Sequence, residues 1–460
     1  MLLAASFFCQ FIFSGMFPVS SDTISVLRVI SATIDHSLRA TILEHTIMPI
    51  DPALLHSTRC CVVGGGPAGM MLGLLLARAG VTVTILEKHG DFLRDFRGDT
   101  VHPSTLQILQ ELGLLQKFNQ LPQRRESLLS GLIAGRKQSV VDFRGLRPFD
   151  YLALVPQWDF LNLLANAGKR YPTFDLRMRH TATGLMRDDG HVSGVRVESP
   201  KGAYELRADL VVACDGRHSM IREAAGLKGA DYGAPMDVLW FRMPRSAHDP
   251  QDTFGIANDG HLMVLLNRNA YWQTAFVVPK GSDADLRAQP IDRLRDAIVR
   301  LAPFLSDRRD SIKNWDAIST LAVQVDRLDR WHTPGLLLIG DAAHAMSPIG
   351  GVGINLAIQD AVAAANALAT PLLRDGSRID EAQLAAIQRR RELPVRVVQR
   401  VQLAIQNRVI SRALEADGRP PRIPWLLRLL LSFRVVRNRP ARLFGYGIRQ
   451  EHVRTPELAP

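Results

Sequence analysis

The chain has 460 residues, 47% hydrophobic and 22% charged, so it exceeds the size at which a single core stops growing and is too apolar for a disordered protein. Lys and Arg number 56 against 45 Asp and Glu, a formal charge of +11, yet no helix-turn-helix, finger or aromatic platform accompanies the excess, which argues against a nucleic-acid-binding module. The four cysteines, at 9, 60, 61 and 214, make no disulfide framework, and no His/Cys cluster has zinc spacing.

Met1 to Val19 is mostly apolar but contains Gln10, and no Lys or Arg precedes Arg28. A secretory signal begins with a positive region, and a spanning helix needs about 20 largely uninterrupted apolar residues, so the segment is a poor example of either. The fold is predicted to begin near Met48, with residues 1–48 an extension or a mis-assigned start and a weak membrane anchor as the alternative.

Cys60-Cys61-Val62-Val63 reads as a buried strand that turns through Gly64-Gly65-Gly66-Pro67-Ala68-Gly69 into a helix. Gly64 permits the tight turn and Gly66 leaves room for a pyrophosphate to approach the backbone. Gly69 and Gly73 thin one helix face for packing on a sheet, and free N–H groups at the helix start face the anion. The helix ends at Gly80 and a second β-branched strand, Val81 to Leu86, ends in Glu87, where an acidic side chain would hold ribose hydroxyls. Cys60 and Cys61 point to opposite faces of their strand, so they are poor disulfide partners and suit a reducing compartment.

Helices are predicted around Leu106 to Leu115 and Phe160 to Gly168, then a hairpin from Val192 to Glu198 through Pro200-Lys201-Gly202 to Tyr204. The strand Ala208 to Ala213 leads into Cys214-Asp215-Gly216-Arg217 and a helix carrying Arg222. From about Ala230 to Val325 strands predominate, notably Val238–Met243, His261–Leu266 and Tyr271–Val278. A further buried strand ends in Gly340-Asp341, followed by Pro348-Ile349-Gly350-Gly351-Val352-Gly353-Ile354-Asn355 and an alanine-rich helix. From Ile387 onward sixteen arginines face five acidic residues, which accounts for the whole excess of +11. Within that tail, Trp425 to Arg437 is an apolar run with arginines at its margin. It suits a helix closing the first domain, with contact to an anionic membrane surface as the alternative.

The three strand-end motifs, in this order, resemble the flavoprotein monooxygenases of the p-hydroxybenzoate hydroxylase and ubiquinone-biosynthesis hydroxylase type, from about Arg59 to the helices after Asn355. The resemblance implies an α/β fold: a Rossmann-like FAD-binding domain (49–229 and 326–375), an inserted β-sheet substrate domain (230–325) and a basic C-terminal helical region (376–460). The chain stops too soon after Gly353 for the thioredoxin-like domain of the longer phenol hydroxylases. FAD is then the implied cofactor, with NADPH or NADH as reductant and no second dinucleotide fingerprint required.

The implied FAD contacts are Gly64, Gly66, Pro67, Ala68, Gly69, Glu87 and Lys88 of the first motif, Arg97 near the cofactor, and Gln157 at the ribityl chain. Asp215 and Gly216 lie near both FAD and the nicotinamide path, with Arg222 supporting the turn. Asp341 is assigned to the ribityl and pyrophosphate region, and Pro348, Gly351, Gly353, Ile354 and Asn355 pass beneath the ring. A helix start there would stabilise negative charge on reduced flavin. The middle sheet is implied to line the substrate pocket, with Trp240, Phe241 and Trp272 as aromatic candidates.

The implied reaction is hydroxylation of a small aromatic or quinone-like substrate by O2 through a flavin C4a-hydroperoxide, in a cytoplasmic enzyme. His261, Tyr271 and His344 are the plausible titrating groups, and none is assigned as the base. His344 is expected to pack near the Gly-Asp turn. A halogenase is disfavoured because no tryptophan sits in a W-x-W-x-I-P segment. A reductase or dehydrogenase on the same fold and a flavin-binding sensor are the alternatives.

Overall fold

The structure is a computed structural model describing residues 56–458 except 94–99, 134–135, 259, 375–377, 412–413 and 415–433. Residues 1–48, Arg97 and the Trp425 end of the apolar tail segment lie outside the described residues.

The first strand, His56–Val63, pairs in parallel with Val83–Glu87 on one side and Gly202–Ala213 on the other. Phe174–Met178 extends the sheet beyond Val83–Glu87, and Leu336–Leu338 extends it beyond Gly202–Ala213, both in parallel. Cys60, Val62, Ile85, Leu210, Val212 and Leu337 are fully buried, as continuous apolar strands covered on both faces must be. The chain leaves the first strand toward one edge and later returns on the other side of it. That reversal is the topological switch point at which open α/β sheets bind ligands.

The helix after the glycine turn, Pro67–Arg78, is buried along nearly its whole length and packs against the helices Gln157–Gly168 and Gly353–Leu373. Its glycines let its other side lie close against the sheet and the glycine loop. A Cβ on Gly69 would stand 2.0 Å from the Gly64 carbonyl oxygen, and one on Gly73 would stand 2.3 Å from Ile85 Cδ1. The alanine-rich helix Gly353–Leu373 has the high helix propensity its composition dictates. It lies in a segment, Ile349–Leu373, apolar and long enough to cross a membrane, but 72% of that apolar window is buried inside this domain.

The predicted hairpin forms, His191–Ser199 against Gly202–Ala213, and Thr181–Asp188 adds a third strand. The second sheet has seven strands. It contains the three predicted strands as Met236–Pro244, His261–Asn267 and Tyr271–Pro279, with Ser319–Leu321 at one edge. The sequence places this sheet within 230–325, but it also takes in Leu128–Ile133 and Arg136–Asp142 from the preceding segment. Leu128–Ile133 joins by parallel pairing with Phe254–Asn258, a contact between distant segments that local periodicity does not encode. One face packs on the helix Asp292–Leu301 through Leu239, Phe241, Trp272 and Phe276.

A buried ionic chain ties the helix Gly353–Leu373 to the helix Glu381–Ile405 and the C-terminal segment. Asp360 Oδ1 accepts from Arg391 Nε at 2.8 Å, and Arg391 Nη1 reaches Glu451 Oε1 at 3.3 Å. Asp360 and Arg391 are 0% exposed and Glu451 is 1% exposed. Without Arg391, the buried Asp360 keeps only His344 and the buried Glu451 only Arg390 as a charged partner. Arg391→Met is therefore expected to destabilise the FAD-saturated protein by about 3–5 kcal/mol in urea unfolding. A loss below about 1 kcal/mol would show that His344 and Arg390 suffice to hold Asp360 and Glu451.

Candidate active site

Three strand ends stop level with one another. Val63 is in register with Ala213, and Ala213 with Leu338. Cys214 N donates to Val63 O at 2.7 Å and Ile339 N to Ala213 O at 3.1 Å, so the glycine loop, the Asp215-Gly216 turn and the Gly340-Asp341 turn emerge side by side. Gly64 adopts φ +105°, and a Cβ there would lie 2.5 Å from Cys214 O. Only glycine lets these two turns touch.

Gly66 caps the helix Pro67–Arg78 without a side-chain hydrogen bond, and no acidic residue occupies the first turn. A Cβ on Gly66 would meet nothing within 4 Å. The helix start is thus an uncapped, electropositive cradle whose mouth is empty of protein, as a pyrophosphate requires. Pro67 and Ala68 open that helix and Gly69 seats it against Gly64.

Glu87 ends its strand buried at 7% exposure, and its Oε2 accepts from Gly65 N at 2.9 Å. Its Oε1 accepts from His89 N at 3.0 Å. Lys88 is exposed. Asp215 Oδ2 accepts weakly from Ile221 N at 3.3 Å, whereas Oδ1 is buried with no hydrogen-bond partner. Burial pushes this carboxyl above its ordinary value. Gly216, at φ +87°, has open space where a Cβ would be. Arg222 supports the turn by donating to Arg217 O at 3.1 Å and pairing with Asp326 at 2.9 Å. Arg217, which the motif reading passes over, pairs with Asp341 at 3.5 Å and so joins the second and third motifs. Its place inside the Asp-Gly turn was the available signal.

Pro348 leads into a single turn, Ile349–Gly351, where Gly350 and Gly351 have φ +77° and +61°. A Cβ on Gly351 would stand 2.8 Å from Thr100 Oγ1. Gly353 and Ile354 start the long helix half-buried, and Gly353 faces the Asp341 carboxylate. The Asn355 side chain is engaged within the protein. Its Oδ1 accepts from His102 N at 2.9 Å and Thr105 Oγ1 at 2.7 Å, while Nδ2 donates to Thr100 O at 3.2 Å and Gly351 O at 3.3 Å. Asn355 thus braces the glycine turn. His102, another residue the sequence reading omits, lies 3.0 Å from Gly350 O through Nε2 and is 1% exposed.

The remaining candidates separate. Gln157 is half-buried at the first turn of Gln157–Gly168. Phe241 and Trp272 belong to the core beneath Asp292–Leu301, and Trp272 Nε1 donates to Asp249 at 2.8 Å. Trp240 faces the other way, with Val238 and Ala275. His261 packs edge-on against Phe276 and lines a cavity of about 410 Å³ with Trp315 and Arg293. That cavity lies between the sheet and the helix Asp292–Leu301, on the face away from the glycine turn, so His261 is misplaced for a base. Tyr271 lies under the Arg242 guanidinium at 5.0 Å. His344 is 1% exposed and bound to Asp360 at 2.6 Å, packed near the Gly-Asp turn as expected and closed off from solvent.

The family described as "FAD binding domain" matches residues 57–401. The 6-methylpretetramide 4-monooxygenase of Streptomyces rimosus is 31% identical over 426 residues, 88% of this chain and 96% of that one. The para-nitrophenol 4-monooxygenase of a Pseudomonas species is 27% identical over 72% of this chain and 82% of its own. The crystal structure of a probable FAD-dependent monooxygenase from Pseudomonas aeruginosa superposes with a TM-score of 0.67 at 21% identity, over 78% of this chain and 99% of that one. The chain belongs to the FAD-dependent aromatic monooxygenase family of the p-hydroxybenzoate hydroxylase type. It is an FAD-dependent oxidoreductase.

The empty mouth at Gly66, the unpartnered Asp215 Oδ1 and the bare helix starts at Pro67 and Gly353 fit FAD. Because a Cβ on Gly66 meets nothing, Gly66→Val is expected to fold with a wild-type circular dichroism spectrum yet take up no FAD on reconstitution. Full uptake would place the pyrophosphate elsewhere.

Burial pulls the His102 imidazole from 6.5 to about 4. Between those values the unfolded chain binds a proton that the folded chain refuses, so stability is full above pH 6.5 and falls as pH drops toward 4, by about 3 kcal/mol. Urea unfolding across that range should show a shallower slope for His102→Gln than for wild type. An equal slope would contradict the assignment.

Proposed function

We propose that this monooxygenase uses NADPH or NADH and O2 to hydroxylate a small, electron-rich aromatic or quinone-like substrate. The observation that carries this reading is the meeting of the glycine turn with the second sheet: Ile349 packs with Met236, Val277 and Leu262. The sheet therefore roofs the edge where the three motifs emerge. The names of the relatives support the substrate class, since one acts on para-nitrophenol, a phenol.

Bound FAD supplies the electron storage and oxygen activation. The protein's residues do the rest. The helix start after Gly66 holds the pyrophosphate, Glu87 takes the ribose hydroxyls, and Asp341, fixed by Arg217, positions the ribityl chain. The Asp215-Gly216 turn would border the path for the nicotinamide, and Asn355 with His102 braces the glycine turn that would support the ring. The N–H groups at Gly353 and Ile354, at an uncapped helix start, would stabilise negative charge on the reduced cofactor. The sheet roof excludes water, which keeps activated oxygen for the substrate. The free, buried thiols of Cys60, Cys61 and Cys214, with Cys61 pushed up to about 12 by burial, suit a reducing cytoplasm.

Phenols that bind should stimulate NADPH oxidation with one O2 consumed per NADPH and one oxygen gained by the product. NADPH oxidation without oxygen in any product would favour the reductase alternative. Asp341→Ala is expected to weaken FAD affinity or slow flavin reduction while the melting temperature at saturating FAD stays near wild type. Unchanged affinity and turnover would remove Asp341 from the cofactor site.

A further inference from the structure

The cavity of about 410 Å³ on the outer face of the second sheet takes no part in the cofactor edge. Its floor is strand. Phe276 and Val278 stand two residues apart on Tyr271–Pro279 and so share a face, while Val277 between them turns to the other side and packs with Ile349. One wall is the helix Asp292–Leu301, which presents Arg293, Asp296, Ala297 and Arg300, the i, i+3, i+4 and i+7 positions of a single helix face. Ala297 is the smallest of these and leaves the middle of the wall recessed. The opposing wall is Trp315, whose ring is pinned: Nε1 donates to Gln289 O at 3.1 Å, and the Arg287 guanidinium lies 5.7 Å from the ring centroid.

Burial and charge are graded from floor to mouth. Phe276, Val278, Leu294 and Ala297 are no more than 6% exposed, whereas Arg293, Asp296 and Arg300 are exposed. Protein interiors leave few voids larger than a water, and small-molecule sites occupy about 300–1,000 Å³, so this space has the size of a ligand site and not of a packing defect. Its mouth is positive. Asp296 is the one acid among the lining residues, and Arg309 occupies its carboxylate through Nη2 at 2.8 Å and Nε at 2.9 Å. Arg293 gives Nη1 to Gln289 Oε1 at 2.9 Å, which fixes it at the edge with its other N–H groups unspent. Arg300 has no protein acceptor among the described residues. Guanidinium groups with unused donors at the entrance of an aromatic-walled space complement a flat ring that carries one carboxylate. The carboxylate stays at the hydrated mouth, so no charge is stranded in the apolar floor.

We propose that this cavity is a second ligand site, separate from the cofactor crevice, for a flat aromatic monocarboxylate, with its rings against Trp315 and Phe276 and its carboxylate on the Arg293 and Arg300 side. Two aromatic surfaces favour a planar ring over an alkyl chain, which would leave both faces without a stacking partner. A ligand seated there touches the outer face of the sheet and none of the three strand-end motifs. The site therefore stands independently of the monooxygenase reading.

The FAD-loaded full-length enzyme is titrated in a calorimeter with 2-naphthoate and with 2-naphthalenemethanol, which has the same rings without the charge, and the flavin absorbance is followed in parallel. Wild type is expected to bind 2-naphthoate roughly tenfold more tightly than the alcohol, in an event that leaves the flavin absorbance unshifted. Arg293→Gln combined with Arg300→Gln alters exposed side chains only. It should bring 2-naphthoate down to the affinity of the alcohol while the alcohol affinity and the FAD content stay at wild type. Ala297→Phe fills the recess and should remove this event for both probes, and the double arginine variant decides the matter alone if Ala297→Phe does not fold. Equal affinity of wild type for the two probes, a preference for 2-naphthoate that persists in the double variant, or undiminished binding in folded Ala297→Phe would each overturn the proposal. So would 2-naphthoate binding that always tracks a flavin absorbance shift, because it would place the ligand in the cofactor crevice. Oxygen transfer is not part of the readout, so failure of the monooxygenase reading leaves this result standing.

Discussion

The close approach of Gly64 to the Cys214 carbonyl is the constraint on which the site depends. The first and fourth parallel strands to be added run side by side, and their turns leave the sheet at one level. A side chain at Gly64 would sit 2.5 Å from the neighbouring backbone, so the turns would have to splay. With glycine, the uncapped helix start after Gly66 and the Asp215 turn face one crevice. The Gly340-Asp341 turn enters the same crevice through Ile339 N, which bonds to Ala213 O. The cofactor edge is therefore backbone geometry first and side-chain chemistry second.

That edge is held from behind by charge. Asp360 Oδ2 accepts from Gly340 N at 3.2 Å and meets His344 at 2.6 Å, while Oδ1 meets Arg391. Burial works to raise the Asp360 carboxyl, but His344 and Arg391 hold it below the ordinary carboxylate value. Such a cluster contributes less to net stability than its contacts suggest, because each ion was taken out of water. Its effect here is geometric. It locks the Gly-Asp turn to two long helices and, through Glu451, to a C-terminal segment that also bonds Arg78 at Thr455 O and Tyr171 at Glu457.

The glycine loop, the acid at 87 and both Gly-Asp type turns were legible in the sequence because each is a local pattern whose spacing the phosphate or the sheet edge dictates. The hairpin and the three central strands of the roof were legible for the same reason. What was hidden depends on distant partners. Leu128–Ile133 enters the roof only by pairing with Phe254–Asn258, and Arg217 and His102 matter only because Asp341 and Gly350 come to meet them. His344, a titratable residue beside a motif, could not be told from a base until Asp360 was seen to consume it.

The roof shows how much turns on a single residue of register. Trp240 and Phe241 are adjacent, and both are plausible substrate contacts on composition alone. Strand geometry sends them to opposite faces. Phe241 joins Leu239 and Trp272 against the outer helix, where its whole surface is spent on packing. Trp240 turns toward the side that meets Ile349 and the cofactor edge, and it alone of the two carries a buried polar atom without a partner. Shifting the strand by one residue would exchange the two rings between the outer helix and the inner side of the sheet. The antiparallel pairing of Met236–Pro244 with Tyr271–Pro279 that fixes this register thus decides which of the two rings faces the cofactor edge.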